Sequence, residues 1–173
     1  MRVSHDIEIT PKSVVLDGKQ IEVSETGERL LVELYRRYAG DYPKFYKMDT
    51  LSRLGFIAAE ILLKLEPVEA VILGNHNASI KNDRDYLKTI TDGNYYPSPA
   101  LFVYTLPNIV TGEIAIRHHI QGETSFYVLD KQEDLEPIIH ATLNNVPSPI
   151  LGGWCECSDK DEFNAKLQII WNN

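Results

Sequence analysis

The chain has 173 residues, 43% of them hydrophobic and 24% charged, enough for one domain with a sizeable core in a composition ordinary for a globular protein. A formal net charge of −8 excludes the basic face that phosphate neutralisation needs, so nucleic acid is not an expected partner. The same charge gives no attraction to an anionic membrane surface.

The stretch from Met1 to Asp6 lacks the apolar core of a signal peptide. Charges at Glu60 and Lys64 interrupt the longest apolar run, so no membrane span is expected. The two cysteines, Cys155 and Cys157, are one residue apart. On a strand they point to one face, a poor geometry for a disulfide and too few ligands for a metal. They read as packing thiols in a reducing, cytoplasmic compartment.

In chain order, Val3 to Ile9, Val14 to Leu16 and Ile21 to Val23 are short β-branched runs, with a hairpin turn at Asp17-Gly18. Ser24 is the expected N-cap of a helix from Glu25 to Tyr38, with acids leading and bases closing it. Asp49 caps a second helix, Thr50 to Leu65, apolar on nearly every side and therefore buried. Its small residues Gly55, Ala58 and Ala59 would let a neighbour approach closely. Ala70 to Gly74 reads as a central parallel strand, followed by a polar loop from Asn75 to Ser79.

A helix starts at Asn82-Asp83. A mixed helix follows from Ala100 to His119, interrupted at Pro107. Ser125 to Leu129 is a strand and Leu135 to Leu143 a helix. Pro149 to Cys155 and Leu167 to Trp171 are the last strands. The alternation from residue 50 onward predicts an α/β fold with a mostly parallel mixed sheet and helices on both faces.

Candidate chemistry is sparse. Asn75, His76 and Asn77 lie at a strand's carboxyl end, where open α/β sheets place ligands. The adjacent His118 and His119 point about 100° apart on a helix and cannot share a metal, so they read as a solvated or capping pair. His5 and His140 have no evident partner. Tyr95, Tyr96, Phe102 and Tyr104 either fill core or line an acyl or aromatic pocket. No phosphate-binding glycine loop, glycine-flanked serine, metal set or cofactor motif is present.

The order of several blocks is more specific. Pro97-Ser-Pro-Ala-Leu-Phe-Val-Tyr-Thr-Leu-Pro-Asn108, then Ile-Val-Thr-Gly112-Glu-Ile-Ala-Ile116, then Gly122, resembles the β-ketoacyl synthase pattern of the thiolase-like fold. There a Ser-Pro-aromatic segment precedes Asn-x-x-x-Gly-x-Ile-Ala and a glycine before the nucleophile strand. Lys47 to Ala59 is similar to the family's early buried helix. Val71 to Gly74 is similar to the strand before its small-residue loop, and Ile150 to Glu156 to the strand ending in Gly-Gly-x-Glu. The resemblance spans residues 45 to 173 well and residues 1 to 44 loosely.

It implies one domain over residues 1–173, the N-terminal half of a duplicated αβαβα architecture. It also implies what is absent. The family's acyl-accepting cysteine would fall near Asp130 or Lys131, and neither residue can form a thioester. Two further histidines belong to a C-terminal half. The implied role is a non-catalytic subunit in fatty-acid or polyketide-type chain synthesis, polyenes included. It would act as a homodimer or as a heterodimer with a full-length ketosynthase, through the strand Ser125 to Leu129. Asn75, His76, Phe102 and Asn108 are the candidate substrate-binding residues, with the Pro99 to Asn108 segment bordering an acyl pocket. Two alternatives stay open. One is a binding module for acyl-CoA or acyl carrier protein, met by a basic face of Arg36, Arg37, Lys44 and Lys47. The other is a minimal acyltransferase or hydrolase using His76 or His118.

Overall fold

A computed structural model describes residues 1–93 and 96–172; Tyr95, one member of the aromatic cluster, lies outside them. Strand β1 (Arg2–Ile9) packs inward through Ile7 and Ile9. It turns into the hairpin β2 (Val14–Leu16) and β3 (Lys19–Ile21). Asp17 and Gly18 both take left-handed dihedrals, φ 49° and 72°, the conformation a two-residue hairpin needs to match strand twist.

Helix α1 (Glu28–Tyr38) starts three residues later than the expected Glu25, and Ser24 does not cap it. The Glu33 carboxylate instead accepts from the Ser24 and Glu25 backbone N–H groups, at 3.0 and 2.8 Å. Held this way, the segment reaches the helix only through Gly27 at φ 60°. A single-turn 3₁₀ helix at Pro43–Lys47 follows.

Asp49 caps α2 (Thr50–Leu63) as expected, its Oδ1 accepting from the Ser52 N–H at 3.0 Å. Every residue of α2 except Arg53 is buried. A Cβ added to Gly55 would lie 2.3 Å from Val110 Cγ2, so a small residue is what lets the helix carrying Val110 approach. Strand β4 (Ala70–Asn75) is buried along its whole length. Helix α3 (Ile80–Leu87) begins two residues before the expected Asn82. The interruption at Pro107 divides the expected 100–119 helix into α4 (Pro99–Val103) and α5 (Ile109–His118), because proline brings no N–H to an intrahelical bond. Strand β5 (Thr124–Val128), helix α6 (Glu136–Leu143), β6 (Ile150–Asp159) and β7 (Glu162–Trp171) complete the order.

All seven strands share one sheet, ordered β3-β2-β1-β7-β6-β4-β5. It is mixed, but less parallel than the sequence suggested: only β4–β5 and β4–β6 run parallel, and the other four ladders are antiparallel. The alternation of strands and helices ends at β6. Asp159 pairs directly with Glu162 across a tight turn, and so short a connection can only reverse the chain.

Helices cover both faces, unequally. One face carries the main core, where α1, α2 and α5 pack on Ile7, Ile9, Leu151, Leu167 and Ile169. On the other, Leu135, Ile139 and Leu143, from α6 and the turn before it, meet Ala70, Ile72, Ile150 and Trp154. Burial at this scale contributes about 25 cal/mol per Å² of apolar surface, so the α2 face holds most of the fold's stability.

Candidate functional site

Parallel strands bring their carboxyl ends to one edge, and in open α/β sheets that edge is where polar loops meet ligands. Here the edge gathers three segments: the turn after β4, the junction between β5 and α6, and Glu156 of β6.

The turn is held by Asn75, which is fully buried. Its side-chain amide donates to the Ala78 carbonyl at 2.8 Å, and its carbonyl oxygen accepts from the Ala78 N–H at 2.9 Å. Ala78 sits at φ 49°, a left-handed conformation that costs a residue with a Cβ about 1 kcal/mol. The Asn75 ring offsets that cost. The backbone N–H groups of His76 and Asn77 then point together at the Glu156 carboxylate, at 2.8 Å to Oε2 and 3.3 Å to Oε1.

The β5 end is tied to the same turn. The Leu129 N–H donates to the Asn75 carbonyl at 2.9 Å. His76 Nδ1 lies 3.2 Å from the Leu129 carbonyl oxygen. A carbonyl only accepts, so Nδ1 carries the proton and Nε2 is left as the acceptor on an exposed ring.

Asp130 and Lys131 follow, both exposed. The backbone at Lys131 is extended (φ −139°, ψ 151°) and feeds a 3₁₀ turn, Gln132–Leu135, that runs into α6. No serine, threonine or cysteine stands between Leu129 and Glu136. The first turns carry Glu133, Asp134 and Glu136 instead. Acids suit the positive end of a helix, and by filling that field they oppose a second negative charge such as an oxyanion.

The thiols do not reach this edge. Cys155 and Cys157 are free, buried and on one face of β6, as their spacing predicts. Cys155 Sγ is 4.0 Å from the Leu51 carbonyl and Cys157 Sγ 3.4 Å from that of Asp159. Burial pushes both thiols up, Cys157 to about 12, so neither is a thiolate at neutral pH.

The remaining candidates are dispersed. Phe102 on α4 is 54% exposed and packs its ring on Tyr86 at 5.5 Å, while Tyr104 is buried in the main core. Asn108 is exposed and serves α5 through its carbonyl, which accepts from Thr111 Oγ1 at 2.9 Å. Among the described residues, neither Phe102 nor Asn108 shares a hydrogen bond or ring contact with His76. The link is indirect: Ser79, at the end of the turn, donates to the Thr105 carbonyl at 2.6 Å.

His118 departs from the solvated reading. Its Nε2 sits 3.0 Å from Glu60 Oε2 beneath the surface, because α5 presses against α2 there. His119 does end its helix, in a left-handed C-cap. His5 pairs with Asp17 at 2.8 Å, and His140 Nδ1 lies 3.2 Å from Asn144 Nδ2. Lys44 is bound to Glu113 at 2.5 Å, and Arg37 donates to the Glu22 carbonyl at 2.9 Å. The expected basic face is therefore partly consumed by internal contacts.

Among the described residues no three His, Cys, Asp or Glu side chains are grouped to hold a metal, and no helix is long and apolar enough to cross a membrane. A hollow of about 590 Å³ lies at the opposite end of the strands beside Glu66, Ile120, Gly122 and Trp171. Glu66 is already engaged there by Ser4 and Trp171, at 2.5 and 3.0 Å. The residue that sequence reasoning missed is Glu156. Its signal was a carboxylate set inside the apolar run of β6.

No family model and no curated protein matches the chain. A solved structure does: a ketosynthase (ApeO) in complex with its chain length factor (ApeC), from Xenorhabdus doucetiae. It superimposes with a TM-score of 0.72 at 12% identity, over 99% of this chain and 79% of that one. At that identity the likeness is one of fold, and the chain has the ketosynthase-like, thiolase-like fold that its motif order implied.

Proposed function

We propose that this chain is a non-catalytic ketosynthase-like subunit of acyl chain synthesis, of the fatty-acid or polyketide type, acting in the cytoplasm by pairing with a ketosynthase-like partner. All of residues 1–173 would form that one domain. The observation that carries the reading is the junction from Leu129 to Glu136. By the motif order it would correspond to the place where a ketosynthase holds its nucleophile, and its polar side chains are carboxylates, an amide and one lysine.

The pairing surface would be β5. Among the described residues it is an edge strand, bonded to β4 on one side only. The Val71 N–H donates to the Glu123 carbonyl and the Leu129 N–H to the Asn75 carbonyl. Residues 123, 125, 127 and 129 therefore face β4, and the N–H and C=O groups of Thr124, Phe126 and Val128 point outward. An unpaired row of this kind is a template for a partner strand. Ile116 and Val128 beside it are 62% and 52% exposed. Asn75, His76, Phe102 and Asn108 would border the acyl chain held at such an interface.

A hydrolase or acyltransferase built on His76 or His118 has less behind it. Among the described residues, neither histidine is hydrogen-bonded to a hydroxyl or thiol. Incubation with an acyl-CoA followed by intact mass measurement should leave the mass unchanged. A stable acyl adduct on the native chain would overturn the non-catalytic reading. Co-expression with a full-length ketosynthase of the same organism should give a co-eluting complex, and its absence would overturn the partner role.

A further inference from the structure

We infer that the turn after β4 is a carboxylate-binding nest already occupied from within by Glu156, which plugs the sheet edge against carboxylates from solution. Successive backbone N–H groups that converge on one point form an anion-binding concavity. The N–H groups of His76 and Asn77 do this, and each takes one oxygen of the same carboxylate, at 2.8 and 3.3 Å. Glu156 comes from β6, 80 residues away in sequence, and the parallel β4–β6 register, with Gly74 opposite Trp154, brings it level with the turn.

The nest is also built without Glu156. The turn is closed by two hydrogen bonds between Asn75 and Ala78, at 2.8 and 2.9 Å, and is tied to β5 by the Leu129 N–H at 2.9 Å. Asn75 is fully buried and has no freedom to release Ala78. Removing the Glu156 carboxylate therefore leaves a formed cradle with two N–H donors and no acceptor. A small carboxylate such as formate or acetate presents the oxygen pair the cradle lost. The inference stands apart from the proposed partner role and holds whether or not the chain pairs with a synthase.

The test is chemical rescue in the full chain. In Glu156→Ala, the His76 and Asn77 amide resonances should shift saturably as sodium formate is added at ionic strength matched with sodium chloride, and the melting temperature should rise in step. Wild-type protein under the same titration should show neither change, because the plug is in place. Saturable shifts at those two amides in wild-type protein would overturn the inference. So would a folded Glu156→Ala whose amides ignore formate. If the variant is unfolded in chloride, formate should restore its circular dichroism, and failure to do so likewise overturns the inference.

Discussion

Glu60 and Arg117 meet through two hydrogen bonds of 3.1 Å, one to each carboxylate oxygen, with Glu60 only 1% exposed. The pair joins the last turn of α2 to the last turn of α5. Lys64 at 3.5 Å adds positive charge, His118 Nε2 lies 3.0 Å from the same carboxylate, and Arg117 reaches on to Asp41 at 2.7 Å. Burial alone would push the Glu60 carboxyl up, but the contacts from His118 and Arg117 outweigh it and hold the group at about 2, against an ordinary 4.5.

Breaking that pair removes the buried carboxylate and leaves the guanidinium with the exposed Asp41 as its partner. Glu60→Gln is expected to cost about 3 kcal/mol. The sign of the pH effect follows from linkage. A depressed carboxyl contributes stability above its ordinary value and loses it as pH falls through the folded one. Wild-type melting temperature should therefore fall between pH 4.5 and about 2, and Glu60→Gln should flatten that limb. Calorimetric melts across this range check both.

Gly122 precedes β5 where the backbone of Glu69 passes close by. A Cβ there would lie 2.2 Å from the Glu69 carbonyl oxygen, so Gly122→Ala must displace backbone. Overpacking of this kind costs about 2 kcal/mol. Urea unfolding should show a lower midpoint with an unchanged slope.

Among the described residues, the outward-facing N–H of Val128 belongs to no ladder. Val128→Pro should leave the β4–β5 ladder and the melting temperature nearly unchanged, because proline is tolerated on the open side of an edge strand. The same change should abolish association. Sedimentation velocity with the partner synthase is the measurement, and a complex unaffected by the proline would remove β5 from the interface.

Both native thiols should resist iodoacetamide in the folded protein at pH 8 and react only in denaturant. Burial keeps them protonated and covered. Lys131→Cys should gain one carbamidomethyl group without denaturant, since that position is exposed. Its reaction should be slow, because Glu133 and Asp134 disfavour a thiolate there. It should transfer no acyl group.

Much of this fold could be read from the sequence where a local rule acts alone. The Asp17-Gly18 turn, the Asp49 cap and the buried α2 all follow from residue chemistry within a few positions. What could not be read depends on distant partners. Ser24 fails as a cap because its hydroxyl, as well as its N–H, donates to Glu33. His118 is drawn under the surface because Glu60 waits on another helix. The parallel character was overestimated because the β6–β7 reversal turns on Asp159 to Glu162, inside what looked like a loop. At the candidate site, Asn75 and His76 were visible as polar residues at a strand end. Glu156 was seen only as part of a strand motif, because its role arises from strand pairing, which no spacing rule encodes.

The position of β7 in the sheet has a consequence for how the chain reaches its native state. It is the last strand in sequence and yet the one that joins the β1 hairpin to the β6–β4–β5 block, with Arg2 paired to Trp171. Until β7 is synthesised, β1 and β6 each lack a neighbour on one side, and the two blocks have no ladder between them. Contacts of such long sequence separation make folding slow and leave intermediates open to aggregation. The newly made chain is thus most vulnerable in the interval between β6 and β7, until the ten residues of β7 are made and paired.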